Sequence, residues 1–188
     1  KYLAAMKDKG IIMTPDASKG VECYVDASFV GDYCEQCSDD KSTLYSRTGN
    51  VIYFMGCHIT WVSKMQTEIT LSTTEAEYVA LSQAMRNVFP FLDLIDELST
   101  YFNFNHDKAK VKCRVYEDNN GCLELANNPR YRPRSKHIAL KYHHFREQVQ
   151  KGRIDVTRID TKEQIADQFT KGLDRVTFEY LRKLLMGW

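Results

Sequence analysis

Four acids stand where packing alone does not explain an acid, and they are the residues of this 188-residue chain best able to do chemistry. Asp26 lies mid-run where Cys23, Val25, Ala27 and Phe29 point one way and Tyr24, Asp26 and Ser28 the other, the alternation of a strand. Aspartate is disfavoured inside strands, so this one needs a reason. Glu77 falls within the stripe of Ala80, Leu81, Ala84 and Val88 that marks the buried face of a predicted helix. Asp118 follows a second strand in Glu117-Asp118-Asn119-Asn120-Gly121, just before a short helix, where α/β folds place their sites. Asp167 stands in the first turns of a late helix. Singly, each has a structural reading: Asp118 as an N-cap, Asp167 as a complement to a helix dipole, Asp26 as a solvent-facing residue. Glu77 is harder to dismiss, because an unpaired buried carboxylate costs several kcal/mol and calls for a cation or donor. Together the acids suit a hard cation such as Mg²⁺, which takes oxygen ligands, keeps waters and is commonly shared with substrate phosphates. No Ser-His-Asp order and no phosphate-cradling glycine loop competes with this chemistry.

The elements that must position these acids read in order along the chain. Val21 to Phe29 is a strand, and 31–48 is a polar loop. Val51 to Met55 and His58 to Ser63 form a hairpin around Gly56-Cys57, with Trp61 as a core anchor. Ser72 and Glu75 make a capping box for a helix from Thr73 to about Val88, with Glu75 on the side opposite Glu77. Pro90 should break or kink that helix, leaving Phe91 to Leu98 as another amphipathic segment. Val111 to Tyr116 is a strand, Cys122 begins a short helix, and Ser135 to Lys151 reads as a helix ended by Gly152. Arg153 to Ile159 is a strand, Thr161-Lys162-Glu163-Gln164 a capping box opening the helix of Asp167, and Val176 to Leu185 a last helix. The order implies an α/β fold: a mixed five-stranded sheet with an antiparallel hairpin start, parallel additions and helices on both faces.

Composition sets the limits. With 43% hydrophobic residues the chain suits one compact domain with a sizeable core. No run of about 18 apolar residues is present, and the start lacks the pattern of a secretion signal, so the expected setting is the cytosol or nucleus. The first residues look like the end of a helix closed by Gly10, as in a piece of a longer protein. The formal net charge of +1 favours no partner, but no acid occurs from Leu125 to Arg146. That segment holds Arg130, Arg132, Arg134, Lys136, Lys141 and Arg146 among aromatic and histidine residues, a surface suited to nucleic-acid phosphates. Among six cysteines only Cys34 and Cys37 have C-x-x-C spacing, with no second pair to complete a zinc site; most of the others read as small buried hydrophobes.

In several strings the sequence resembles the ribonuclease H domain of copia-type LTR retrotransposon polyproteins. They are Tyr24-Val25-Asp26-Ala27-Ser28, Trp61-Val62-Ser63-Lys64, Leu71-Ser72-Thr73-Thr74-Glu75-Ala76-Glu77-Tyr78, Glu117-Asp118-Asn119, Ser135-Lys136-His137-Ile138 with Tyr142-His143, and Gln164-Ile165-Ala166-Asp167-Gln168-Phe169-Thr170-Lys171. The resemblance implies a ribonuclease H-like fold over 21–174, a C-terminal helix over 175–188, and in 1–20 the tail of an upstream reverse transcriptase. It implies cleavage of the RNA strand of RNA·DNA hybrids with two Mg²⁺ ions, or Mn²⁺ in their place, in the cytoplasm inside a virus-like particle or in the nucleus. Asp26 would then bridge both metals, Glu77 and Asp118 complete one, and Asp167 help hold the other, roughly 4 Å away. Ser28, Thr73, Thr74, Asn119 and Asn120 are the candidates for contacts to the hybrid beside the acids, and Arg134 and Lys136 for phosphate contacts. Many ribonucleases H carry a mobile His before the last acid; none lies between Gly152 and Asp167 here. Two alternatives stay open: a non-cutting module that holds the hybrid or supports the polymerase, and a nuclease or transposase of the same acidic architecture acting on duplex DNA.

Overall fold

The computed structural model describes residues 6–29, 44–102, 112–128, 138 and 143–188. Five strands form one sheet, β1 (Val21–Ser28), β2 (Arg47–Phe54), β3 (Cys57–Met65), β4 (Cys113–Glu117) and β5 (Ile154–Arg158), in the spatial order β3-β2-β1-β4-β5. The first three run antiparallel as a meander, and β4 and β5 are parallel to β1 and to each other. This is the mixed sheet expected from the element order. The hairpin turn is the two-residue Met55-Gly56, both at positive φ (52° and 76°), a geometry that matches strand twist and that glycine adopts freely. Pairing extends further back than the sequence pattern indicates: Arg47 and Thr48, read as loop, already belong to β2.

Helix α1 (Thr73–Tyr101) crosses one face of the sheet. Its Ala76, Ala80, Ala84, Val88, Leu92 and Ile95 pack on Cys23, Val25, Ala27 and Ile52. With it on that face lie α2 (Asn120–Asn127) and the short α3 (Arg146–Gln150). The opposite face carries two 3-10 turns, Thr161–Glu163 and Ile165–Phe169, followed by α4 (Arg175–Met186). There Val51, Tyr53 and Ile165 form a smaller core with Tyr24, Phe169 and Leu185. Ile12 N–H donates to Met186 O at 3.0 Å, and the Trp188 indole donates to Gly10 O at 2.6 Å, so the described start and end of the chain lie together. Among the described residues no helix is long and apolar enough to cross a membrane.

Several expectations are corrected. Pro90 neither breaks nor ends α1, which runs unbroken for 29 residues. Its ring lies on the exposed side, and the buried stripe continues past it through Val88, Leu92 and Ile95, so packing outweighs one missing donor. Trp61 is 54% exposed rather than a core anchor, because β3 is an edge strand, and His58 meets its ring edge-on. Phe29, just past the end of β1, is likewise exposed. Glu75 is buried rather than facing away: the Ser72 hydroxyl accepts from Glu75 N–H at 3.1 Å, but the Glu75 carboxylate reaches Leu71 N–H at 2.7 Å, one residue short of a closed capping box. Of the helix read over 135–151, the described part is Ile138, a turn at 143–145, then α3 and the turn at Lys151; 135–137 and 139–142 lie outside the described residues. Asp167 sits in a 3-10 turn, not an α-helix, and Asp160, not Thr161, caps the preceding turn by accepting from Lys162 N–H at 2.9 Å.

Candidate active site

The site forms where β1 and β4 part company. Their parallel pairing ends at Tyr24 and Tyr116, and beyond that point they no longer pair with each other, while β1 stays paired to β2 and β4 to β5. The wholly buried Gln164 amide fills the gap by donating to Val25 O at 2.8 Å and, at 3.5 Å, to Tyr116 O. Past this split the strands hold Asp26 on one side and Glu117 with Asp118 on the other. On α1, Glu77 lies opposite them, its carboxylate accepting from the Ala27 N–H.

One carboxylate oxygen each from Asp26, Glu77 and Asp118 lies within 4.8 Å of the other two. Asp26 and Glu77 are buried and Asp118 is half-buried. Burial pushes Glu77 well above the ordinary carboxylate range, and the charges of Glu117, Asp26 and Asp118 push it further. Burial likewise raises Asp26, against the opposing pull of the Lys171 ammonium and the Thr170 hydroxyl. Glu77 Oε2 is buried with no hydrogen-bond partner. Three converging carboxylates, one of which has a buried oxygen without a hydrogen-bond partner, form the donor set of a hard divalent cation, and the residues present fit one.

Asp167 lies outside this group of three but next to it. Its carboxyl is pushed up to about 7 by burial and by Asp26. Lys171 Nζ lies 2.9 Å from Asp167 Oδ1. Burial alone would lower Lys171, but the charges of Asp26, Asp167 and Asp118 outweigh it and hold the ammonium up.

The other candidate residues separate clearly. Thr74 Oγ1 donates to Asn119 Oδ1 at 3.4 Å, and that same oxygen caps α2 by accepting from Cys122 N–H at 3.0 Å, so both side chains are engaged within the protein. Thr73 and Asn120 are exposed beside the acids, and Ser28 is half-buried at the end of β1. Arg134 and Lys136 lie outside the described residues, as do Cys34 and Cys37. Arg146 is turned inward, not toward a partner's phosphates: Nε donates to the Tyr78 hydroxyl at 2.9 Å and Nη2 to Leu125 O at 2.8 Å. The Tyr78 hydroxyl also bonds His143 Nδ1 at 2.8 Å. Cys23, Cys57, Cys113 and Cys122 are buried free thiols.

Four participants escape a reading by residue type. Glu117 is wholly buried, accepts from Asn119 N–H at 3.0 Å, and is pushed up to about 8, chiefly by burial. A signal for it exists: Cys113, Val115 and Glu117 share one parity of the strand. Thr161 donates to Asp118 Oδ2 at 2.7 Å, Thr170 donates to Asp26 Oδ2, and Lys171 pairs with Asp167. The last two stood in the matched string but looked like ordinary polar residues. Gly49, opposite Asp26 in β2, admits their segment closely: an added Cβ would lie 2.6 Å from Thr170 Cγ2 and 2.9 Å from Ala166 O.

A mixed sheet in this order with an acidic cluster at the β1/β4 split is the ribonuclease H-like fold. The solved structure of LC11-RNase H1, isolated from compost, superposes with a TM-score of 0.56 at 16% identity, covering 80% of this chain and 92% of that one. No family model matches the chain. Its sequence is 36% identical over 186 residues, 98% of the chain, to the retrovirus-related Pol polyprotein from transposon RE2 of Arabidopsis thaliana. It is 34% identical over 180 residues to the corresponding polyprotein from transposon RE1 of the same plant. The chain spans 12% and 11% of those polyproteins' lengths. Fold and homology together make it a ribonuclease H-like segment homologous to copia-type transposon Pol polyproteins.

Proposed function

We propose that this chain hydrolyses the RNA strand of RNA·DNA hybrids, with Asp26, Glu77 and Asp118 holding divalent cations and Asp167 assisting. The observation that carries this reading is the meeting of three carboxylates from β1, α1 and the end of β4 within 4.8 Å, one of them with a buried oxygen that has no protein partner. Mg²⁺ or Mn²⁺ bound there would supply a polarised water and charge to offset that developing on the leaving oxygen. The chain's own part is to hold oxygen ligands ready. Thr161 and Thr170 fix Asp118 and Asp26 through hydroxyl hydrogen bonds, and Ala27 N–H fixes Glu77. Thr73, Asn120 and Ser28 are the proposed readers of a minor-groove 2′-hydroxyl, and Arg134 and Lys136 are the proposed phosphate contacts. The neighbour we propose is the reverse transcriptase region of the same polyprotein, acting in the cytoplasm within a virus-like particle or in the nucleus.

The test is cleavage of an end-labelled RNA·DNA hybrid with Mg²⁺, with and without the polymerase region attached. Asp118→Asn should cost several kcal/mol of transition-state stabilisation, on the order of a hundredfold or more in rate. Hybrid binding without cleavage in either format would favour the non-cutting module. Preference for duplex DNA in competition would replace the substrate.

A further inference from the structure

Lys171 and Asp167 form an ion pair unlike the other i,i+4 pairs among the described residues. In Lys151–Glu147 and Arg175–Glu179 both partners are largely exposed, as expected of solvated surface pairs. In Lys171–Asp167 the lysine side chain is 41% exposed and the aspartate only 5%. The ammonium therefore reaches inward from solvent onto a buried carboxylate, and its charge also acts on Asp26. Asp167 does not join the three carboxylates that could share one ion. A long, flexible stem that is partly in water lets the head group leave without unfolding anything.

We propose that Lys171 is a built-in cation of the site, occupying the Asp26–Asp167 side. The chain then takes one divalent ion at Asp26, Glu77 and Asp118 and admits a second only as Lys171 swings away. This rests on the reading above that the carboxylates bind divalent cations. It makes occupancy of the second position a competition between a tethered ammonium and a free ion, so that substrate phosphate, by drawing Lys171 off, would favour the second ion.

Mn²⁺ titration of the metal-free chain, followed by calorimetry and by electron paramagnetic resonance of free Mn²⁺, tests this without relying on cleavage. The wild type should take one ion, lost in Asp118→Asn, and a second about tenfold or more weaker, the scale of one charge-assisted hydrogen bond. Lys171→Met should bring the second ion to comparable affinity. Adding Asp167→Asn to it should return the count to one. Lys171→Arg, which keeps the charge, should behave as wild type. Asp167→Asn alone should leave the first ion in place, and its loss would overturn the assignment even if Lys171→Met does not fold. Two ions of equal affinity in the wild type, or a folded Lys171→Met with unchanged count and affinity, also overturn it. Mn²⁺ binding that is absent, or indifferent to Asp118→Asn, defeats the cation-site reading itself. An Asp118-dependent ion with no effect of Lys171 defeats only the present inference.

Discussion

The Thr170 hydroxyl donates to Asp26 Oδ2 across 144 residues of sequence, and both groups are buried. A few residues earlier Thr161 does the same for Asp118 at 2.7 Å. One segment after β5 thus orients two acids held by β1 and by the residues just after β4. Removing a donor from a buried carboxylate costs about 1.5–3 kcal/mol. Thr170→Val, which keeps the shape, should lower the unfolding free energy by about that much in chemical denaturation. Thr170→Ser should recover most of it. Equal stability of all three proteins would remove the hydrogen bond from the account of the site.

Metal-free stability should fall as pH rises. Glu117 and Asp167 are held at about 8 and about 7 in the folded chain, above their ordinary values of 4.5 and 3.8. Between those values the folded state binds protons that the unfolded state has released. The stabilising contribution is therefore fully present below the unfolded pKa and is lost as pH climbs through the folded one. Thermal melts in chelator should give a falling Tm from about pH 4.5 to about pH 8, and added Mg²⁺ should restore more at the alkaline end. A Tm that rises over this range in chelator would contradict the clustered, protonated carboxylates.

Glu77→Gln should separate stability from activity. The substitution removes a charge from a site where burial and three neighbouring acids already resist ionisation. Without metal the variant should melt above the wild type near pH 8, while Mg²⁺-dependent cleavage of the hybrid falls by on the order of a hundredfold or more. A variant that is both less stable and still active would place Glu77 outside the proposed machinery.

Gly49→Ala should damage the smaller core and the segment beside the site. The new methyl would press on Thr170, Ala166 and Phe169, which are packed against β2. Overpacking of this kind costs about 1–3 kcal/mol, and it should shift the segment that carries Thr170 and Lys171. Denaturation should show the loss, and Mn²⁺ affinity should fall with it.

Pro90→Ala should stabilise the protein by up to about 3 kcal/mol, because Pro90 sits on the exposed side of a continuous helix and withholds a backbone donor there. No change in denaturation midpoint would mean that the helix has already bent to accommodate the ring.

Local physics was legible in the sequence where periodicity is strong. Alternation gave β1, the 3.6-residue stripe put Glu77 rather than Glu75 at the cluster, and the order of elements gave the mixed sheet, because each of these depends on which face of one element is apolar. It also gave the three acids that meet, as anomalies against packing rules. What only the tertiary structure decided depends on contacts between distant segments. Pro90 is carried through α1 by the core beneath it, and Trp61 is left in solvent because β3 is an edge. Glu117 is buried beside the cluster, and Thr161 and Thr170 acquired partners 43 and 144 residues away. A threonine or lysine has the same local propensity whether or not a carboxylate awaits it. Only the parting of β1 and β4 put the carboxylates of Asp26 and Asp118 within reach of Thr170 and Thr161.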